Sequence, residues 1–164
     1  MTNKGAGYIR KMARNVLAEY FHNSCEAIKP IPIEDIAKRN DIEIYYLEEL
    51  GGNHKALKHT QGDGRVIIGI NKSYHIHSQR FSIGHELGHH FLGHPPESKC
   101  SEEEIKSYNQ EADEFSAELL MPLSEVKKAL KSRPVDIDGI AKKFCVSREA
   151  LIIKIKNSNL LRLI

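Results

Sequence analysis

The sequence has few cysteines, no strong excess of charge of either sign and no long apolar run. Its three cysteines are widely separated and form no Cys-x-x-Cys pair, which argues against a disulfide framework and a cysteine zinc site. Twenty-four basic side chains nearly balance 22 acidic ones, so the positive excess typical of phosphate-binding proteins is missing. With no run of about 18 apolar residues and no secretory signal, we expect a cytoplasmic protein without a membrane segment.

The length and composition favour one folded domain, with room for a small appendage. The chain has 164 residues, and domains typically have roughly 100–200. Its apolar and charged fractions are close to those of ordinary globular proteins, which excludes disordered and fibrous classes. Histidine is the unusual feature, because five of the nine histidines fall between residues 77 and 94.

Hydrophobic spacing predicts an α+β fold that is mostly helical, with a small sheet in the middle. Alternation predicts a strand at 42–47, and a Gln-Gly-Asp-Gly turn at 61–64 joins two strands and leads into an apolar segment at 65–70. Helical spacing predicts helices at 8–22, 33–39, 103–120, 124–131, 138–144 and 147–156. A further helix begins at Ser78, ends at Gly93 and carries most of the clustered histidines.

That helix contains the motif His-Glu-x-x-His. Because a helix turns about 100° per residue, His85 and His89 point from the same face, and their imidazole nitrogens can meet on one ion. Glu86 lies beside them, where a carboxylate reaches a water on the ion without binding the ion itself. The pattern indicates Zn²⁺ held by two imidazoles, with a free carboxylate as the general base of a hydrolase.

A catalytic zinc needs a third protein ligand and one open position. A metzincin-type extension is excluded, because Leu92 and Pro95 stand where it requires glycine and histidine. The other source is the following helix, which offers four carboxylates: Glu111, Asp113, Glu114 and Glu118. Its apolar stripe favours Glu111 over Glu114 by a small margin and leaves the choice open.

The strings RFSIGHELGHHFLGH and QEADEFSAELLMP resemble the ImmA/IrrE family of small intracellular metallopeptidases. The likeness continues upstream through PIPIEDIAKRNDIEIYYL and RVIIGI and downstream through DIDGIAKKFCVSREALIIKIKNSNLL, so it covers nearly the whole chain. The resemblance implies a zincin-like fold in which three residues hold zinc: His85, His89 and Glu111. It also implies Glu86 as the general base, and regulatory cleavage of a protein substrate, commonly a helix-turn-helix repressor.

Two positions depart from the family pattern. Asp113 stands where asparagine is usual, and Ser116 where alanine is usual. One turn from the metal face, Asp113 can accept a hydrogen bond from a ligand histidine or act as an alternative ligand. Three residues stay open as stabilisers of the oxyanion: Tyr74, His75 and Tyr108.

We expect residues 1–131 to form the zincin-like metallopeptidase domain and residues 132–164 to form a helical extension packed on it. The extension has helix-turn-helix spacing, with Cys145 at the turn position that glycine commonly holds. Five basic side chains there suit DNA phosphates: Lys142, Lys143, Arg148, Lys154 and Lys156. We favour packing over DNA binding, because the total charge is near neutral and the second helix is too apolar for a full DNA-reading face.

The competing hypothesis is a DNA-binding or protein-interaction regulator in which the zinc site is structural or vestigial. Structural zinc usually has four protein ligands and no use for an unligated base. The presence of Glu86 therefore favours an enzyme.

Overall fold

The computed structural model describes residues 4–22 and 30–164. These residues form seven α-helices and a three-stranded sheet, which confirms the α+β class. The helices are α1 (Ala6–Tyr20), α2 (Ile33–Arg39), α3 (Ile76–Phe91), α4 (Glu102–Leu120), α5 (Leu123–Ala129), α6 (Ile137–Phe144) and α7 (Arg148–Asn157). The strands are β1 (Ile42–Leu47), β2 (Ala56–Thr60) and β3 (Val66–Asn71). No helix among these residues is long and apolar enough to cross a membrane.

The sheet has the order β1-β3-β2, so β2 is an edge strand. β1 runs parallel to β3, and β2 runs antiparallel to β3 through the turn at residues 61–64. Side chains of β3 alternate along the strand, which buries Val66, Ile68 and Ile70 in the core. Within residues 4–22 and 30–164, β2 pairs on one side only, and no strand of these residues lies beside its other backbone edge.

α3 carries the His-Glu-x-x-His motif and ends in a glycine turn. Ile83 and Leu87 are fully buried at the four-residue spacing of one helix face. Gly93 has a φ of +68°, and the amide of His94 donates to the carbonyl of His89 at 3.0 Å. This Schellman-type ending folds His94 back over the last turn of the helix.

α3 and α4 run antiparallel and approach closely, because α3 has glycine where the two helices meet. A β-carbon built at Gly84 would collide with Ser116, and one built at Gly88 would lie 3.0 Å from the α-carbon of Ala112. The close approach brings the histidines of α3 opposite polar side chains of α4.

Replacing Gly88 with valine is expected to lower the free energy of unfolding by about 2 kcal/mol or more, because overpacking against backbone forces the helices apart. The neighbouring atoms belong to the α4 backbone and the β-carbon of Phe115, which cannot rotate away. Gly7→Val in α1 is the matched control, since nothing lies within 4 Å of a β-carbon there. Urea unfolding measures both; equal stability of the two variants would contradict this packing.

The C-terminal helices share the core of the rest of the chain. Lys154 on α7 is 3% exposed, and its ammonium donates to Oε2 of the fully buried Glu118 on α4 at 2.5 Å. Cys145 joins α6 to α7 with a φ of 54°, the left-handed conformation that glycine adopts most readily. Cys145 and Cys100 are free thiols, and Cys25 lies outside the described residues.

Candidate metal centre

The two motif histidines face each other on α3. Their Nε2 atoms are 3.0 Å apart, and the ring centroids of His85 and His89 are 4.7 Å apart. Two imidazole nitrogens on one tetrahedral zinc lie about 3.3 Å apart, given Zn–N distances of about 2.0–2.1 Å. The pair therefore fits one zinc ion with a small adjustment.

Asp113 fixes the proton position of His85. Its Oδ1 atom lies 2.8 Å from Nδ1 of His85. A carboxylate only accepts, so Nδ1 carries the proton and Nε2 is left with its lone pair in the neutral ring. Burial lowers the pKa of His85, but the hydrogen bond and charge of Asp113 outweigh burial and raise the pKa overall. Asp113 thus has the geometry of a carboxylate that orients a ligand histidine.

A second series of hydrogen bonds sets the orientation and the proton position of the His89 ring. Oε2 of Glu111 lies 3.0 Å from Nε2 of His94, and Nδ1 of His94 lies 3.0 Å from Nδ1 of His89. Since the carboxylate accepts, a neutral His94 holds its proton on Nε2, and His89 must donate from its own Nδ1. The lone pair of His89 then points from Nε2 towards His85.

Glu111 is buried, as its position beside the apolar stripe suggests, and its hydrogen-bond partners are Lys4 and His94. It is 3% exposed, and its Oε1 accepts the backbone amide of Lys4 at 2.9 Å while Oε2 pairs with His94. The structure therefore brings His85, His89 and Asp113 together and links Glu111 to His89 through His94. The other two carboxylates of the helix also point elsewhere, because Glu114 pairs with Arg10 and Glu118 with Lys154.

Asn109 on α4 also lies beside the histidine pair. Its Oδ1 atom lies 3.1 Å from Nε2 of His89, and its side chain also hydrogen-bonds His85. Among the residues that the structure describes, no three His, Cys, Asp or Glu side chains form a group that could hold a metal. The side chains that meet at the pair are the two imidazoles and the amide of Asn109.

The pair opens into a cleft of about 880 Å³ lined by α3, α4 and the whole of β2. Glu86 lines it, and burial raises the pKa of this carboxyl against the opposing charges of His85 and Lys58. Burial lowers the pKa of the Lys58 ammonium, which faces Glu86 from β2. None of the three residues left open for the oxyanion lines this cleft: Tyr74, His75 and Tyr108.

The stability of the metal-free protein is expected to fall as pH decreases, because His89 is held neutral. Burial, followed by the charges of His85 and His94, lowers its pKa from 6.5 to about 3. As pH falls, His89 therefore gains a proton in the unfolded chain before it does so in the folded protein. The stabilisation of the folded state is complete above about pH 6.5 and is lost as pH falls towards about 3. Melting temperatures of chelator-treated protein check this. In His89→Gln, the melting temperature should fall less steeply as pH decreases. His59→Gln, which changes an exposed histidine on β2, is the control and should show the same fall as the wild type. If His89→Gln and the wild type fall equally, His89 is not the group responsible.

Three residues of the site are not predicted by the sequence patterns. His94 appears incidental until the Gly93 turn folds it onto His89, and Asn109 is outside the usual set of zinc ligands. Lys58 lines the cleft, but it lies in a polar segment whose sequence pattern does not indicate a cleft residue. The Gly93 at the end of the motif helix was the one local signal for His94.

A family model described as Peptidase_M78, IrrE N-terminal-like domain, matches residues 37–156. Among solved structures, a Mycobacterium tuberculosis transcriptional regulator is similar at a TM-score of 0.61 and 18% identity, covering 92% of this chain and 48% of that one. This chain thus spans about half the regulator's length, and at that identity the likeness shows the fold alone. No curated protein matches the chain significantly. Because the family model covers most of its length, the chain belongs to the Peptidase_M78 family, which confirms the ImmA/IrrE resemblance seen in the sequence.

Proposed function

We propose that the chain is a cytoplasmic, zinc-dependent metallopeptidase that cleaves a specific protein substrate. The observation that carries the proposal is the meeting of the His85 and His89 Nε2 atoms beside Glu86 in one cleft. Asp113 and His94 orient the two rings so that both lone pairs face the same point. Membership of a peptidase family supports a hydrolase.

The residues divide the work of peptide hydrolysis among them. His85 and His89 would hold the metal, which would supply a water of lowered pKa, near about 7, and would polarise the peptide carbonyl. Glu86 accepts the proton of the attacking water on its carboxylate and delivers it to the leaving amine nitrogen. Burial raises the pKa of Glu86, which makes it a stronger base than an exposed glutamate. The charges of His85 and Lys58 oppose this rise in the pKa of Glu86 and favour its charged form.

An extended peptide suits the shape of the cleft. β2 lies along one wall, and its outer edge pairs with no strand in the described part of the chain. Strand edges of this kind hydrogen-bond to extended peptides. We propose that the substrate segment lies along β2 with its scissile carbonyl at the histidine pair. The family resemblance supports a helix-turn-helix repressor as the substrate.

A DNA-binding regulator is the alternative function, and two of the five basic side chains that it needs are engaged within the chain. Lys154 is buried against Glu118, and Arg148 pairs with Asp138 at 2.9 Å. We therefore propose that residues 132–164 act as a packed extension. We likewise propose that residues 1–131 form a zincin-like metallopeptidase domain.

The direct test incubates the purified protein with candidate helix-turn-helix repressors, with zinc or with a chelator. We expect zinc-dependent cleavage at one or a few bonds, lost with chelator and restored by added zinc. Intact repressors under all conditions, together with retention of a DNA fragment by the protein, would instead support the regulator.

A further inference from the structure

We propose that Lys58 binds a carboxylate side chain of the substrate, so that the cleft selects peptides with aspartate or glutamate close to the scissile bond. The inference rests on the proposed peptidase function and names the class of peptide that the same cleft takes. Its starting observation is a lysine on β2, the strand along which the substrate is placed, that lines the cleft together with Glu86.

The position of Lys58 in the sheet directs its side chain towards the cleft. Lys58 lies opposite Ile68 of β3, and directly paired residues of neighbouring strands project from the same face of a sheet. Ile68 is fully buried on the face that packs against the helices, α3 among them. Lys58 is accordingly less exposed than Leu57 and His59, its neighbours on the other face. Its ammonium therefore lies on the cleft side of the edge strand.

The charge of Lys58 is not neutralised by an ion pair. The ion pairs formed within residues 4–22 and 30–164 include the more deeply buried Lys154, which has Glu118, but they do not include Lys58. Burial lowers the pKa of Lys58, against the opposing charge of Glu86, so its ammonium is partly removed from water. A cation in that state is stabilised when a ligand brings a carboxylate to it.

The side chains of opposite charge lie on opposite sides of the cleft. Residues 53–60, which form the β2 side, include two lysines and two histidines and no acidic residue. The acidic residues that line the cleft are Glu86 on α3, Glu97 beyond the end of α3 and Asp113 on α4. A segment that lies along β2 therefore meets basic or neutral side chains from that strand, which favours a carboxylate and disfavours lysine or arginine.

Lys58, rather than Lys55, is the lysine near the proposed reacting centre. The Lys55 ammonium lies 5.5 Å from the centre of the Tyr74 ring, and its side chain is exposed. The charge of Lys58, in contrast, is close enough to favour the charged form of Glu86 and to disfavour that of His89. Since a strand advances about 3.3 Å per residue, a carboxylate bound at Lys58 belongs to a residue within about two positions of the scissile bond.

The test uses decapeptides with both ends blocked, so that a terminal carboxylate cannot replace the side chain. They are built from alanine and leucine and carry glutamate, glutamine or lysine at one position, which is moved along the peptide. Fluorescence polarisation measures binding to the zinc-loaded full chain, and internally quenched versions give kcat/KM. At one position we expect glutamate to be favoured over glutamine by about tenfold, and lysine to be the least favoured.

Lys58→Met is expected to reduce that preference to less than about twofold, and Lys58→Arg is expected to keep it because the charge remains. Lys55→Met is the matched control, an identical change on the same side of the cleft, and should keep the preference within about twofold. If Lys58 only kept Glu86 charged, Lys58→Met would slow the cleavage of all peptides by the same factor. An unchanged ratio between glutamate and glutamine peptides would therefore overturn the inference, provided that melting curves show a folded variant.

The outcomes separate this inference from the proposed function. A preference for glutamate in binding that depends on Lys58, without any cleavage, would support recognition by Lys58 and overturn the peptidase. Cleavage with no preference for glutamate, or with a preference that Lys58→Met retains, would overturn recognition by Lys58 and support the peptidase. Peptides that are neither bound nor cleaved would overturn both.

Discussion

Replacing Glu86 with glutamine is expected to lower kcat/KM for peptide cleavage by about 10²–10⁴-fold while zinc stays bound. The amide keeps the shape of the side chain but cannot accept the proton of the attacking water. Because Glu86 lines the cleft beside the histidine pair without being one of its contacts, its loss should leave the zinc dissociation constant within about threefold of wild type. The measurement is cleavage rate and bound zinc on the same preparation.

Glu103→Gln is the matched control, an identical change on an exposed first-turn residue of α4. Its cleavage rate and zinc content should equal those of the wild type. Undiminished cleavage by the Glu86 variant would remove Glu86 as the base, and loss of its zinc would show that it holds the metal instead.

Lys154→Met is expected to lower the free energy of unfolding by about 3–5 kcal/mol, because it leaves a buried carboxylate without its main partner. Glu118 is fully buried between α4 and α7, and its remaining cation is Arg14 at 3.2 Å, whose side chain is half exposed. The Leu123 amide also reaches it, at a longer 3.3 Å. Urea unfolding of the full chain gives the number directly.

Lys156→Met on the same helix is the control, since its side chain is exposed and its removal should cost less than about 0.5 kcal/mol. Removing both charges, in Glu118→Gln/Lys154→Met, should cost less than the sum of the single changes, because neither charge is left buried alone. Equal stability of the two lysine variants would contradict the packing of α7 on α4, and would free Lys154 for DNA.

The sequence predicts most elements because their hydrophobic spacing is strong. The helix at 33–39 and the strand at 42–47 match the structure, and α4 begins one residue before its predicted start. The predicted helix at 8–22 lies two residues late, since its first turn at Ala6 and Gly7 carries no apolar signal. β2 is polar and lies at the sheet edge, so alternation cannot reveal it. Parallel pairing of β1 with β3 depends on a crossover that short-range patterns do not encode.

The sequence likewise predicts one part of the candidate site and not another. The four-residue spacing places His85 and His89 together because helix geometry alone decides it. The position of Glu111 depends on Lys4 and His94, which lie 107 and 17 residues away in sequence. An apolar stripe indicates that Glu111 is buried but does not reveal which side chains it meets, so its role as a metal ligand stays a prediction.

The most direct test of the account is the zinc content of the purified chain and of its His85→Ala variant, measured by equilibrium dialysis at a fixed concentration of free zinc. We predict one equivalent of zinc for the wild type and a loss of most of it in the variant, with folding unchanged by circular dichroism. Equal zinc content in the folded wild type and the folded His85→Ala variant would contradict a metal centre at the histidine pair. It would also contradict the proposed peptidase mechanism, which depends on that centre.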